Sequence, residues 1–136
     1  MLDRYNIAYG VLEPLLGGNS SRNLDEAAAL CGAMNDWQAC EFTDPEPRLR
    51  ASILVPQDDP EAAVKEIEKR AGDWRFCQIQ LGSKTSEPVG RRRYWPIFAA
   101  AQANGLSIGL HVGGTFAAAP SASGWPQFYI EEHHGL

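Results

Sequence analysis

The chain has 136 residues, of which 44% are hydrophobic and 21% are charged, as is ordinary for one globular domain. Its formal net charge of −5 argues against a protein that works by neutralising phosphates, so we expect no nucleic-acid partner. No apolar run approaches the roughly 20 residues that span a bilayer, and the first residues lack the order of a signal peptide. Three cysteines without metal-ligand spacing complete the prediction of a cytoplasmic protein with no membrane contact.

Strand-like runs alternate with helical patterns at intervals of about 25–30 residues, which is the length of one βα unit. Strands are predicted at residues 8–12, 49–55, 76–81 and 106–111, and helices from residue 23, from residue 60, at 94–104 and from residue 125. Strands and helices in strict succession predict an α/β fold with parallel strands and right-handed crossovers. The pattern alone leaves open whether the sheet is open or belongs to a closed barrel.

Helix ends are marked by residues with known capping preferences. Asn23 with Glu26 predicts a capping box, and Asp59 before a proline predicts a second N-cap. Gly72 and Gly105 are placed to end the second and third helices. The inner face of the first helix is predicted to carry Leu24, Ala27, Leu30, Cys31, Met34 and Trp37 or Gln38.

The fourth strand ends on His111, followed by two glycines. Apolar residues are expected on both sides of this strand, as in a parallel sheet covered by helices. Catalytic groups of α/β enzymes lie at the carboxyl ends of strands, so His111 is the first candidate for chemistry. The alternative is a core histidine that donates to a backbone carbonyl. No glycine-rich phosphate-binding motif opens any of the helices.

Several segments occur in an order that resembles the amidohydrolase-related family of metal-dependent hydrolases and decarboxylases. The likeness rests on Asn-Asp-Trp at 35–37, on residues 48–57 and 59–63, on Gly-Arg-Arg-Arg-Tyr-Trp-Pro-Ile at 90–97, on the His111 strand, and on residues 124–126 and 129–132. The resemblance implies a (β/α)₈ barrel whose metal ligands come from strands 1, 5 and 8, with a further histidine on strand 6. The histidine of strand 5 matches His111. Residues 1–136 would then be a single partial barrel domain with family strands 2 to 5, lacking strand 1 and strands 6 to 8.

The same resemblance implies a divalent metal, most simply zinc, and a small carboxylated substrate in the intact parent. A catalytic zinc needs about three protein ligands, so we expect this chain alone to bind none and to be inactive. His133 and His134 are adjacent and are expected at the surface. Arg92 could pair with a substrate carboxylate or simply be solvated. Trp125 could wall a pocket or serve only for packing.

Three functional hypotheses follow. The chain is part of a metal-dependent hydrolase, or of a decarboxylase of the same superfamily; it is a half-barrel completed by a second copy or a complementing chain; or it is a non-enzymatic α/β interaction module. Half a barrel would leave two strand edges unpaired and one apolar face of the curved sheet uncovered. A lone monomer is therefore expected to be poorly stable.

Overall fold

The computed structural model describes residues 2–15, 18, 21–82, 87 and 89–111. Within them, four strands alternate with three helices: β1 (Gly10–Leu12), α1 (Leu24–Gln38), β2 (Leu49–Leu54), α2 (Pro60–Arg70), β3 (Phe76–Gly82), α3 (Trp95–Ala103) and β4 (Ser107–His111). One turn of 3₁₀-helix at Asp3–Tyr5 precedes β1, another at Arg92–Tyr94 precedes α3, and a π-helical turn at Ala39–Thr43 extends α1. The predicted fourth helix, from residue 125, lies outside the described residues.

The four strands form one parallel sheet in the order of the sequence, β1-β2-β3-β4. All three pairings are parallel, and a bulge between Ala51 and Ser52 shifts the register of β2 on β3. This confirms the predicted partial (β/α)₈ architecture with about four βα units. Because all strands are parallel, their carboxyl ends lie at one edge of the sheet, where the connecting βα loops meet.

The outer face of the sheet packs against the helices and holds the apolar core. Ile53, Ile79 and Ile108 are in register across β2, β3 and β4, and the first two are fully buried. They pack with apolar residues of α2 and α3, including Ala63, Ile67, Ile97 and Ala101. Burial of aliphatic side chains at roughly 25 cal/mol per Å² is the main force that holds the helices on this face.

The predicted helix ends are largely confirmed. The Asn23 side chain accepts from the backbone N–H groups of Asp25 and Glu26, and Asp59 accepts from that of Ala62. Gly72 and Gly105 follow their helices with φ of +81° and +64°, which glycine adopts without strain. The capping box is wrong in its second half, because Glu26 accepts from the Ser21 hydroxyl and not from the backbone of Asn23.

The inner face of α1 differs in part from the prediction, which gave Trp37 or Gln38 at one position and did not include Asn35. Asn35 and Gln38 are buried there together with Ala27, Cys31 and Ala39, whereas Leu24, Leu30 and Trp37 are exposed. Exposed Trp37 packs edge-to-face on Phe42, with ring centroids 4.9 Å apart. The buried amides bind the main chain of β2, which no apolar side chain could do.

Asn35 and Gln38 complete the hydrogen bonding of one edge of β2. Asn35 donates to the carbonyl oxygen of Leu54 over 2.9 Å and accepts from its N–H over 2.9 Å, while Gln38 donates to the carbonyl of Ser52. The carbonyl of Arg48 accepts from β1, and residues at even spacing along a strand present their main chain to the same side. The two amides therefore continue along β2 the ladder that β1 leaves after Leu12.

None of the described helices is both long enough and apolar enough to cross a membrane.

Candidate functional site

The inner, concave face of the sheet is largely polar, although apolar Leu54 of β2, in register with Gln80, also lies on it. Register places Ser52, Gln78 and Ser107 side by side across β2, β3 and β4, and it places Gln80 beside Gly109. In-register neighbours have their side chains on the same face. The expected apolar inner face is therefore wrong for most of the described residues on it. The prediction of apolar residues on both sides of β4 is also wrong. Apolar Ile108 and Leu110 lie on its outer face, whereas Ser107, Gly109 and His111 lie on its inner face.

A carboxylate joins this face from the end of β1. Glu13 Oε1 accepts from Gln78 Nε2 over 2.9 Å, and the same nitrogen donates to Ser52 Oγ over 2.9 Å. Ser52 Oγ in turn donates to the carbonyl of Leu12 over 2.6 Å, next to Glu13 in sequence. These three bonds form a closed chain from β1 across β2 and β3, which we call the glutamate layer (Leu12, Glu13, Ser52 and Gln78).

Gly109 of β4 lies against the glutamate layer. A Cβ at this position would stand 3.0 Å from Gln78 Nε2 and 3.2 Å from Glu13 Oε1. Since β1 and β4 are the outer strands of the sheet, this approach requires a strong curl, as in a barrel wall. The absence of a side chain at Gly109 gives the carboxylate and the amide their room.

Gln80 lies two residues after Gln78 on β3, closer to the carboxyl ends of the strands. Its Nε2 donates to the carbonyl of Pro14 over 3.0 Å, and the residue is only 3% exposed. Within the described part of the chain, no donor reaches its Oε1. A buried acceptor without a donor costs roughly 1–3 kcal/mol, so this oxygen is suited to a ligand's N–H or O–H group.

His111 is the last residue of β4 and pairs with Gly82 of β3. It lies two residues beyond Gly109 on the same face, which is about 7 Å along a strand. The structure therefore brings the predicted imidazole to the carboxyl edge, one step above Gln80 and half-buried. The loop after β2 supports this edge, because Gln57 Oε1 accepts from the N–H of Gly82 over 2.8 Å.

The arginines before α3 are also at the carboxyl edge, but their contacts are with neighbouring loops. Arg92 is exposed and its guanidinium lies 5.5 Å from the centre of the Trp95 ring. Arg93 pairs with Glu87 and donates to the carbonyl of Asp58. No hydrogen bond or ion pair links Arg92 to His111 among the residues that are described. The predicted substrate contact of Arg92 stays a prediction, and Trp125 lies outside the described residues.

The described side chains do not by themselves fit a catalytic metal. His111 is a suitable imidazole ligand, but no group of three His, Cys, Asp or Glu side chains in the described ranges is placed to hold a metal ion. The predicted His133 and His134 surface positions lie outside those ranges.

Sequence reasoning singled out His111 but missed Ser52, Gln78 and Gln80 beneath it. The signal was present in β3, where Gln78 and Gln80 alternate with Ile79 and Leu81. Alternation with period two is typical of a strand with one polar face. The position of Glu13 at the end of the first predicted strand indicates a possible carboxylate near the site, but only the curl of the sheet brings it near Gly109 of β4.

The fold and the position of this site define a class: a portion of a (β/α)₈ barrel with polar groups at the carboxyl edge of its strands. The chain belongs to the amidohydrolase family, because the family model described as "Amidohydrolase" matches residues 2–133. Compared with curated proteins by sequence, the chain has no match.

Solved structures share the fold. A 5-carboxyvanillate decarboxylase from Novosphingobium aromaticivorans, with bound manganese and 3-methoxy-4-hydroxy-5-nitrobenzoic acid, is 27% identical, with a TM-score of 0.73 over 81% of this chain and 32% of its own. A 5-carboxyvanillate decarboxylase from Sphingomonas paucimobilis (23% identity, TM-score 0.74) is covered to 35% and matches 90% of this chain. A 2,6-dihydroxybenzoate decarboxylase from Rhizobium (20% identity, TM-score 0.74) is covered to 41% and matches 98%. The chain thus spans between a third and two fifths of the length of these structures.

Proposed function

We propose that this chain supplies strands 2 to 5 of an amidohydrolase-family barrel, and that His111 is its contribution to the divalent-metal site of the complete enzyme. The observation that carries the proposal is the place of His111, at the carboxyl edge of β4 on the concave face of a chain that matches the family model over residues 2–133. Zinc is the metal expected from the sequence. Manganese, bound in the Novosphingobium decarboxylase, is the alternative.

For the reaction, we propose non-oxidative decarboxylation of a small carboxylated molecule. The support is the 27% identity to a 5-carboxyvanillate decarboxylase. Hydrolysis, the first expectation from the sequence, remains the second candidate, supported by the description of the family model. A single imidazole does not meet the requirement for about three ligands, so we propose that the chain alone turns over neither kind of substrate.

The proposal is tested by titrating the isotope-labelled chain with Mn²⁺ and recording side-chain and amide signals by NMR. A paramagnetic ion broadens the signals of groups near its site even when binding is weak. We expect broadening centred on His111 and Gly82, and its loss from that region in the His111→Ala variant. The His133→Ala variant is the matched control and is expected to keep the broadening at β4.

Broadening that stays centred on β4 after His111→Ala would contradict the proposed metal role. The accompanying assay follows CO₂ release from small aromatic carboxylates, and hydrolysis of amide substrates, with Mn²⁺ or Zn²⁺ present. We expect neither product from the chain alone. Amide hydrolysis without CO₂ release would favour the second candidate and would show that the chain is active by itself.

A further inference from the structure

The glutamate layer and Gln80 lie beneath His111 on the concave face and still hold acceptor atoms that their own hydrogen bonds do not use. The outer face of the sheet packs on the helices, whereas Glu13 sits exposed on the concave face and is held in place there. Its Oε1 takes one hydrogen of the Gln78 amide, and Ser52 takes the other. The Gln78 amide holds the carboxylate with one of its two hydrogens, and Glu13 Oε2 is left as an acceptor on the exposed concave face.

Gln80 adds an independent observation on the same face. Its side chain is more than nine-tenths buried, and among the described residues its Oε1 has no donor. Gln80 and Gln78 lie two residues apart, so both point to the concave side, and the Gln80 amide is bonded to Pro14, next to Glu13. Gln38 Oε1 shares this lack of a donor, but it lies between α1 and β2, away from the groove.

The side chains of the glutamate layer and of Gln80 offer hydrogen-bond acceptors and no spare donor. Gln78 Nε2 and Ser52 Oγ use their hydrogens within the layer, whereas Glu13 Oε2 and Gln80 Oε1 are acceptors. A ligand that reaches this depth must therefore bring hydrogen-bond donors, and an anionic group is repelled by the carboxylate. Gly109 keeps the approach open, because any side chain there would meet Gln78 and Glu13 at 3.0–3.2 Å.

We propose that Glu13 and Gln80 form an acceptor subsite, which binds a hydroxyl or amino group of a small molecule one step below His111. Glu13 is thereby a ligand-binding residue of this chain that decides which end of the molecule points into the groove. The proposal deepens the proposed function and rests on the same concave face. It requires no metal, so it can be tested separately.

The test compares phenol with anisole, which has the same ring and oxygen but no donor. Each is titrated into the isotope-labelled chain while NMR follows the side-chain amides of Gln78 and Gln80 and the backbone amide of Gly109. We expect saturable shifts with phenol, and about tenfold weaker binding of anisole, because only phenol brings a donor to the acceptors of the subsite.

Two variants remove the acceptors. Glu13→Ala and Gln80→Met are both expected to reduce the phenol-to-anisole ratio to about one. Gln80→Met removes a buried acceptor without a donor, but it also removes the bond from Gln80 Nε2 to the carbonyl of Pro14, so thermal unfolding of both variants is measured to confirm that they fold. Glu68→Gln, an exposed carboxylate on α2, is the matched control and is expected to keep the ratio.

The proposal is overturned if phenol and anisole bind the unaltered chain equally, if neither shifts the three probes, or if both variants keep the ratio. Failure of the proposed function has a different signature, which is Mn²⁺ broadening at β4 that does not depend on His111. Phenol and anisole are titrated without metal, so the ligand titration and the Mn²⁺ titration test the two proposals independently.

Discussion

At the scale of single residues, the buried side chain of Asn35 connects three elements of the fold. Its amide holds both main-chain groups of Leu54 and also donates to Glu66 Oε1 over 2.8 Å. It thereby joins α1, β2 and α2 at one buried point. Periodicity cannot reveal such a residue, because a hydrophobic pattern ranks asparagine as a surface residue. The same reason explains why the pattern predicts Leu24 and Leu30, which are exposed, on the inner face and leaves Asn35 out.

We expect Asn35→Ala to lower the free energy of unfolding by about 2–4 kcal/mol, because the N–H and C=O of Leu54 would be buried without partners. Urea unfolding followed by circular dichroism measures the change. Asn104→Ala is the matched control, since Asn104 only donates to the carbonyl of Ala100 at an open helix end. Its expected cost is below about 0.5 kcal/mol. Equal costs for the two variants would contradict the role given to Asn35.

At the scale of elements, the boundaries of strands and helices could be predicted because local chemistry sets them. Asn23, Asp59 and Gly72 act through their own backbone neighbours, so their effects are visible in a few consecutive letters. The glutamate layer could not be predicted in this way, because Glu13 and Gln78 are 65 residues apart. Their contact depends on the curl of the whole sheet.

The helices α1 and α2 are also joined by Arg70, whose guanidinium contacts Asp36 at 2.6 Å and Glu66 at 2.8 Å. The hydrogen bond from Arg70 lowers the pKa of Asp36 below its ordinary value of 3.8. A carboxyl group with a lowered pKa in the folded state stabilises the fold above its unfolded pKa. That contribution is lost as the pH falls through the folded value.

Asp36→Asn should therefore cost stability at about pH 6 and much less at about pH 2. The expected loss at the higher pH is at most about 1 kcal/mol, because the Asp36 side chain is 65% exposed and water screens the pair. Urea unfolding at the two pH values measures both numbers, with Glu68→Gln as an exposed control. A loss that is equal at both pH values would show that the charge of Asp36 is not what matters.

At the scale of the whole molecule, the polarity of the concave face changes the reason for expecting the chain to self-associate. An apolar inner face was the main reason to expect a poorly stable monomer, and the described inner face is mostly polar instead. The outer strand β4 remains a reason for self-association, because within the described chain it pairs only with β3 and its other side is unpaired. An unpaired strand edge is a template for another strand. Leu110, 57% exposed on the outer face of β4, adds apolar surface beside this edge.

We therefore predict that the chain associates with a second copy or a complementing chain through β4. Size-exclusion chromatography with light scattering, over a range of concentrations, should show a mass above 14.9 kDa that falls on dilution. Leu110→Lys should shift the equilibrium toward the monomer, because a charge on an edge strand opposes pairing. Leu30→Lys, at an exposed leucine of α1, is the control. A monodisperse monomer that melts cooperatively at all concentrations would contradict the prediction.

The hydrogen bonds that Asn35 and Gln38 of α1 make with β2 have a consequence for the register of β1 on β2. A parallel strand can slide along its neighbour by two residues and keep its side chains on the correct faces. Here β1 would have to displace Gln38 and Asn35 to slide toward the carboxyl edge, and both are fixed to the main chain of Ser52 and Leu54. Helix α1 therefore blocks that misalignment, and Glu13 emerges at the one height from which it reaches Gly109.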